Sequence, residues 1–214
     1  MFVRVAVLFS LAFGLPAVAQ DTARYRLDIR YDWSSPTHPF EFPENAHMAR
    51  VFGVTHSERY TLFADGLTAS GGLELMAENG RDTILRAEWA EAKRRKRIGS
   101  TFEGPGVGVL PGGVSIEFET HQDAPLLSFA AMLAPSPDWF TGLAGVPLHT
   151  RTGWTDRIEA SLWAWDSGTD SGATYAAPNV DTNPRASVRL LASPHVLVDK
   201  GLVAIGSAVL TRID

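Results

Sequence analysis

The chain has 214 residues, 45% of them hydrophobic and 20% charged, so it holds enough apolar material for a core and is not a disordered sequence. A formal charge of −5, from 19 basic and 24 acidic residues, argues against general nucleic-acid binding and favours cations. With 19 Gly, 13 Pro and no Cys, many turns are expected, and burial, hydrogen bonds or a bound ion must do the work of disulfides.

In chain order, the first feature is a leader. Met1–Arg4 is a short positive start, Val5 to Val18 is apolar, and Ala17–Val18–Ala19 is a small-residue cleavage signature. A signal peptide over 1–19 is therefore expected, cut after Ala19, leaving a single domain over 20–214. Removing Arg4 takes the formal charge from −5 to −6. The run is shorter than the ~20 apolar residues that span a bilayer, and no later segment is long or apolar enough. The expectation is a secreted or periplasmic protein without a transmembrane segment, and the lack of an Asn-x-Ser/Thr sequon suits a bacterial-style export route.

Tyr25, Leu27, Ile29 and Tyr31 alternate with Arg26, Asp28 and Arg30, the period of a half-buried strand. A loop rich in Pro, His and aromatics runs from Trp33 to Ala46. Tyr60–Phe63 is a short strand candidate before the Asp65–Gly66 turn. A weak helical pattern covers Gly72 to Glu78 and stops at Asn79–Gly80. A stronger helix is predicted over Thr83 to Arg97, with Ile84, Leu85 and Trp89 spaced for one face. Val114, Ile116 and Phe118 alternate with Ser115, Glu117 and Glu119 as a strand. Leu126 to Ala134 reads as a buried strand, and Ile158 to Trp165 and Val203 to Ile213 as further strands. About seven strands with one or two short helices in the connections imply an all-β, antiparallel β-sandwich.

Two acidic loops follow strands. In Ala134–Pro135–Ser136–Pro137–Asp138–Trp139–Phe140 the prolines fix φ and present Asp138 with little freedom. In Trp165–Asp166–Ser167–Gly168–Thr169–Asp170–Ser171–Gly172, glycines let the backbone fold back between Asp166 and Asp170. A Ca²⁺ ion takes about six to eight oxygens from carboxylates, carbonyls and water, and these two loops together are a candidate composite site. A self-contained EF-hand is excluded, because the twelfth position counted from Asp166 is Ala177. The same spacing also fits aspartates that only cap turns through Asx hydrogen bonds.

Pro135 to Gly142 (Pro-Ser-Pro-Asp-Trp-Phe-Thr-Gly) and Trp165 to Gly172 resemble the two signatures of the spondin domain, the extracellular module of F-spondin and mindin. Further matches are His38–Pro39, Pro43, Ser57 beside His56, Ala69–Ser70–Gly71, Ala77–Glu78–Asn79–Gly80 and Leu127–Ser128–Phe129, so the resemblance runs from about Tyr31 to Pro184. It implies a C2-like β-sandwich with one structural Ca²⁺ and an adhesive, non-enzymatic role toward a protein, glycan or other cell-surface partner. It places the acidic ligands on Asp138, Asp166 and Asp170, and adds Glu119 as a further acidic position. Family members commonly carry a Cys soon after the Asp-Trp-Phe loop, and this chain has none. Trp139, beside Asp138, is expected to shield the ion from water.

Other constellations point elsewhere. Thr169–Asp170–Ser171–Gly172 is similar to the Gly-Asp-Ser-Gly around a serine-protease nucleophile, which makes a secreted hydrolase using Ser171 or the loop carboxylates the alternative reading. Thr169 stands where the oxyanion hole needs Gly, and Ser171 is one place late for Gly-x-Ser-x-Gly. The six His make no zinc spacing, and His38 and His56 are expected to be packed, hydrogen-bonded residues. Lys93, Arg94, Arg95, Lys96 and Arg97 form a basic run. It reads either as favourable charge at a helix C-terminus or as a patch for anionic glycans or lipid headgroups, including calcium-dependent membrane docking.

Overall fold

In the computed structural model, residues 21–199 and 201–214 are described; the expected leader over 1–19 lies outside them. The chain forms an antiparallel sandwich of two sheets, with two helices laid on the outer face of the larger one. Strands β1 (Thr22–Tyr31), β2 (Val51–His56), β3 (Ile98–Gly104), β4 (Gly112–His121), β5 (Leu126–Ala134), β6 (Trp139–Pro147), β7 (Arg157–Leu162), β8 (Ala164–Asp166), β9 (Arg189–Leu190) and β10 (Gly206–Arg212) carry the two sheets. Helices α1 (Gly71–Asn79) and α2 (Thr83–Arg94) both lie in the connection from β2 to β3. The smaller sheet has the order β7-β10-β1-β4; the larger has β9-β8-β6-β5-β2-β3, with His47–Met48 also pairing onto β5. Among the described residues, no helix is long and apolar enough to cross a membrane.

The register follows from the alternation. Tyr25, Leu27 and Ile29 of β1 lie opposite Phe118, Ile116 and Val114 of β4, and Leu27 and Ile29 opposite Leu210 and Ala208 of β10. Their side chains enter the core between the sheets, where Phe118 stacks on Tyr25 at 5.9 Å and on Phe102 at 4.6 Å. The unbroken apolar run of β5 has a different cause. Leu127, Phe129, Ala131 and Leu133 face the inter-sheet core, while Ala130, Met132 and Ala134 face the core under the helices. A strand covered on both sides has no polar face to show.

Both helices are present at the expected places. α1 begins on Ser70, whose hydroxyl accepts from the Leu73 N–H, and stops at Gly80, which takes a left-handed φ of 63°. α2 ends at Arg94, three residues before the limit expected from the sequence. Two strand expectations and one loop expectation need correction. Tyr60–Phe63 is irregular chain with a bend at Leu62, not a strand, because Leu62 and Phe63 drop into the core under the helices and the Tyr60 hydroxyl accepts from Trp89 Nε1 at 2.7 Å. Ile158 to Trp165 is two strands: β7 belongs to the smaller sheet and β8 to the larger, with the chain crossing over at Trp163. Trp139 and Phe140 open strand β6 rather than ending a loop, Trp139 facing one core and Phe140 the other.

Candidate functional site

Asp138 closes the four-residue connection between β5 and β6. Ser136 fixes this turn by accepting from the Trp139 N–H at 3.1 Å and donating its hydroxyl to the Trp139 carbonyl at 3.2 Å. The Asp138 side chain is 0% exposed and points to the loop that leaves β8. Its Oδ2 accepts from the Thr169 N–H at 2.8 Å, the Ser167 hydroxyl at 3.0 Å and the Asp170 N–H at 3.2 Å. One carboxylate oxygen thus ties down Ser167, Thr169 and Asp170 of that loop. Oδ1 of the same group is buried without a hydrogen-bond partner.

Asp166 and Asp170 each fold their own loop. Asp166 Oδ1 accepts from Gly168 N–H at 2.8 Å, an Asx turn, and Oδ2 takes Arg189 Nη2 at 2.8 Å and Nε at 3.2 Å. Gly168 is required here: its φ is +74°, and a Cβ would meet the Ala186 carbonyl oxygen at 2.6 Å. Asp170 Oδ1 accepts from Gly172 N–H at 2.6 Å, and Oδ2 from Val180 N–H at 2.8 Å, which draws the long excursion to β9 back over the site.

A fourth carboxylate joins this group, and it comes from α1. Glu78 is half-buried, hydrogen-bonds to Thr169 and lies in the field of Asp170 and Asp138. Burial, then its neighbours Glu74, Asp170 and Asp138, push its carboxyl above the ordinary value against the opposing Thr169 bond. Asp138 is pushed up as well, chiefly by burial and next by Asp166, against the N–H groups of Thr169 and Asp170 and the Ser167 hydroxyl. The sequence held a trace of this role, since Glu74 and Glu78 are four apart and share one helix face. On that face Glu74 pairs with Arg185 of the same excursion.

Asp138, Asp166 and Asp170 are therefore held on adjoining loops by shared hydrogen bonds. Glu119 is not among them. Strand alternation turns Phe118 and Thr120 inward on β4 and Glu119 out to solvent on the smaller sheet, opposite Arg24 and 3.3 Å from His121. Among the described residues, no three His, Asp or Glu side chains are gathered closely enough to hold an ion unaided. The Trp139 ring lies in the inter-sheet core, 5.1 Å from Tyr175 and 5.0 Å from His195.

The remaining candidates lie apart from these carboxylates or have other partners. The Ser171 hydroxyl pairs with the Thr182 hydroxyl at 2.8 Å. His56 bonds the Ser57 carbonyl through Nδ1 at 2.9 Å and the Ser128 hydroxyl through Nε2 at 2.7 Å. His38 bonds the Thr37 hydroxyl at 2.9 Å. Both histidines are buried, and burial is the main cause holding each below the ordinary imidazole value. Of the basic run, Lys93 and Arg94 lie in the last turn of α2, and all five side chains are exposed.

Comparison with known proteins finds a match to the family model Spondin_N over residues 23–196. The chain is 36% identical over 188 residues to Spondin-1 of Gallus gallus and 35% identical over 188 residues to Spondin-1 of Rattus norvegicus, in each case covering 84% of this chain and 23% of the relative. It is 32% identical over 174 residues to Spondin-2 of Rattus norvegicus, covering 79% of this chain and 53% of the relative. The chain thus spans about a quarter of the length of these Spondin-1 proteins and about half of Spondin-2.

Proposed function

This chain belongs to the Spondin_N family, and from that premise we propose that it is an exported, non-catalytic binding module of the cell surface or extracellular space whose acidic loops take one Ca²⁺. The observation that carries the reading is Asp138 Oδ1, a carboxylate oxygen without solvent and without a partner. Leaving such an oxygen dry and unpaired is unfavourable, and a hard cation relieves it. Crowding among Asp138, Asp166, Asp170 and Glu78 favours the same event, because positive charge lowers the mutual repulsion of the carboxylates.

Asp138 Oδ1 would be the first ligand, with Asp170 and Glu78 contributing from the other two elements. Asp166 is neutralised by Arg189 and joins only by sharing its oxygens. Loop carbonyls and water would fill the rest of the shell. The ion's contribution is to lock the loop over 166–172 to the β5–β6 turn and present a fixed surface to a partner. A binding role rather than hydrolysis is supported by the Ser171 hydroxyl, which pairs with the Thr182 hydroxyl at 2.8 Å rather than with a histidine or carboxylate. Calorimetric titration with calcium tests the reading. One-to-one binding that raises Tm, without turnover of ester or peptide substrates, is expected. Lack of binding to the chelator-treated protein would reject it.

A further inference from the structure

The basic run at the end of α2 is not used by the acidic site. Arg94 and Arg95 both pair with Glu91, leaving Lys93, Lys96 and Arg97 without an ion pair among the described residues. The chain reverses there in a Schellman turn: Lys96 N–H bonds the Lys93 carbonyl at 2.9 Å and Arg97 N–H the Ala92 carbonyl at 3.0 Å. Lys96 occupies the left-handed position of that turn, with φ of 52°, where glycine is the unstrained choice. The helix dipole favours Lys93 and Arg94, but its field fades past the last turn and gives little reason for Lys96 and Arg97. Local stability therefore does not account for the charge at 96 and 97.

Beside the turn lies an open groove of about 480 Å³, with Tyr60, Ala87 and Ala92 in its lining and Arg95 and Arg97 at its rim. Its two acids are already engaged. Glu91 holds the two arginines, and Glu88 accepts from the Gly72 N–H at 2.9 Å and the Ser70 hydroxyl at 2.8 Å. The Arg97 carbonyl accepts from Ser57 N–H at 3.0 Å, which fixes the Ser57–Tyr60 segment against the patch.

We propose that the 93–97 turn and this groove form a docking surface for a linear anionic polysaccharide bearing sulfate or carboxylate groups. Charge complementarity names the sign of the partner, and a groove rather than a projecting apolar tip names its shape. None of the exposed large apolar side chains, Ile84 included, belongs to the turn, so nothing there would enter a bilayer.

The test is binding of a heparin oligosaccharide of defined length to the mature protein, in about 0.15 M salt, with and without chelator. Saturable binding that weakens with salt and persists in chelator is expected. Lys93→Gln/Lys96→Gln/Arg97→Gln should weaken it at least about tenfold, as loss of released counterions predicts. Arg24→Gln/Arg26→Gln/Arg30→Gln, with the same change in net charge on the smaller sheet, should not. Lys96→Gly should raise Tm while weakening binding. Absence of heparin binding, equal loss in the two triple variants, stronger binding to phosphatidylglycerol vesicles, or a Lys96→Gly protein with lower Tm and intact binding would each overturn the proposal. Because the chelator arm is separate, failure here leaves the calcium reading standing, and the reverse.

Discussion

Replacing Asp138 separates the two jobs assigned to its two oxygens. Asp138→Ala removes the acceptor of the Thr169 and Asp170 N–H groups and the Ser167 hydroxyl, all within a site that excludes solvent. Each buried donor left unpaired costs about 1–3 kcal/mol. Partial rehydration of the vacated space lowers the sum, so a loss of about 3–5 kcal/mol is expected, a large share of a typical domain's ~5–15 kcal/mol. Asp138→Asn keeps one acceptor oxygen in reach of those donors and removes a charge that Asp166 repels. In chelator its cost should be about 1 kcal/mol or less. Calcium at a hundred times its Kd should stabilise the parent by ~2.7 kcal/mol and the Asn variant by close to nothing. Urea unfolding in chelator and in calcium reads both effects. An Asn variant as unstable as the Ala variant in chelator, or one that keeps the calcium increment, would refute the reasoning.

Gly168→Ala should cost about 2–3 kcal/mol in thermal or urea unfolding, since φ of +74° is strained for any Cβ and the Ala186 oxygen stands 2.6 Å away. Ser171→Ala should leave stability within about 0.5 kcal/mol, and a fluorophosphonate should not label Ser171 in the parent. Stability should fall as pH drops below 6.5: His38 and His56 are held below that value in the fold, so the unfolded chain takes up their protons first. His56→Gln should flatten the slope of unfolding free energy against pH in that window. Asp138 and Glu78 act with the opposite sign. Their raised folded values make the native state bind protons more tightly just above the ordinary carboxyl values of 3.8 and 4.5, so their contribution favours the fold on the acid side and is lost as pH rises.

The elements legible in the sequence are those with one wet face. The alternation of β1 and β4, the Gly80 stop of α1 and the turn residues around them mark their own limits. β5 was legible through a different signal, an apolar run with no polar interruption. β2 was hidden because Val-Phe-Gly-Val-Thr-His is buried at every position, between the inter-sheet core and the helices, and its Gly, Thr and His break the apolar run. The crossover at Trp163 was hidden because both halves of Ile158 to Trp165 have strand chemistry, and only tertiary pairing assigns them to different sheets. At the site, the Asp138 and Asp166–Asp170 loops were legible as motifs with stiff prolines and permissive glycines. Glu78 was not, because a helix residue sixty positions before Asp138 reaches the loops only through the packing of α1 on the larger sheet. Glu119 came from the resemblance alone, and an aligned acidic position does not say which face of its strand the residue takes; here it faces solvent.

The most direct measurement of the central claim is anomalous diffraction from crystals of residues 20–214 grown in calcium. A single peak is predicted at about 2.3–2.6 Å from Asp138 Oδ1, with oxygens of the loop over 166–172 completing the shell. Density with no peak there, Oδ1 still unpaired and the Asp170 carboxylate still accepting only from Gly172 and Val180, would contradict the account.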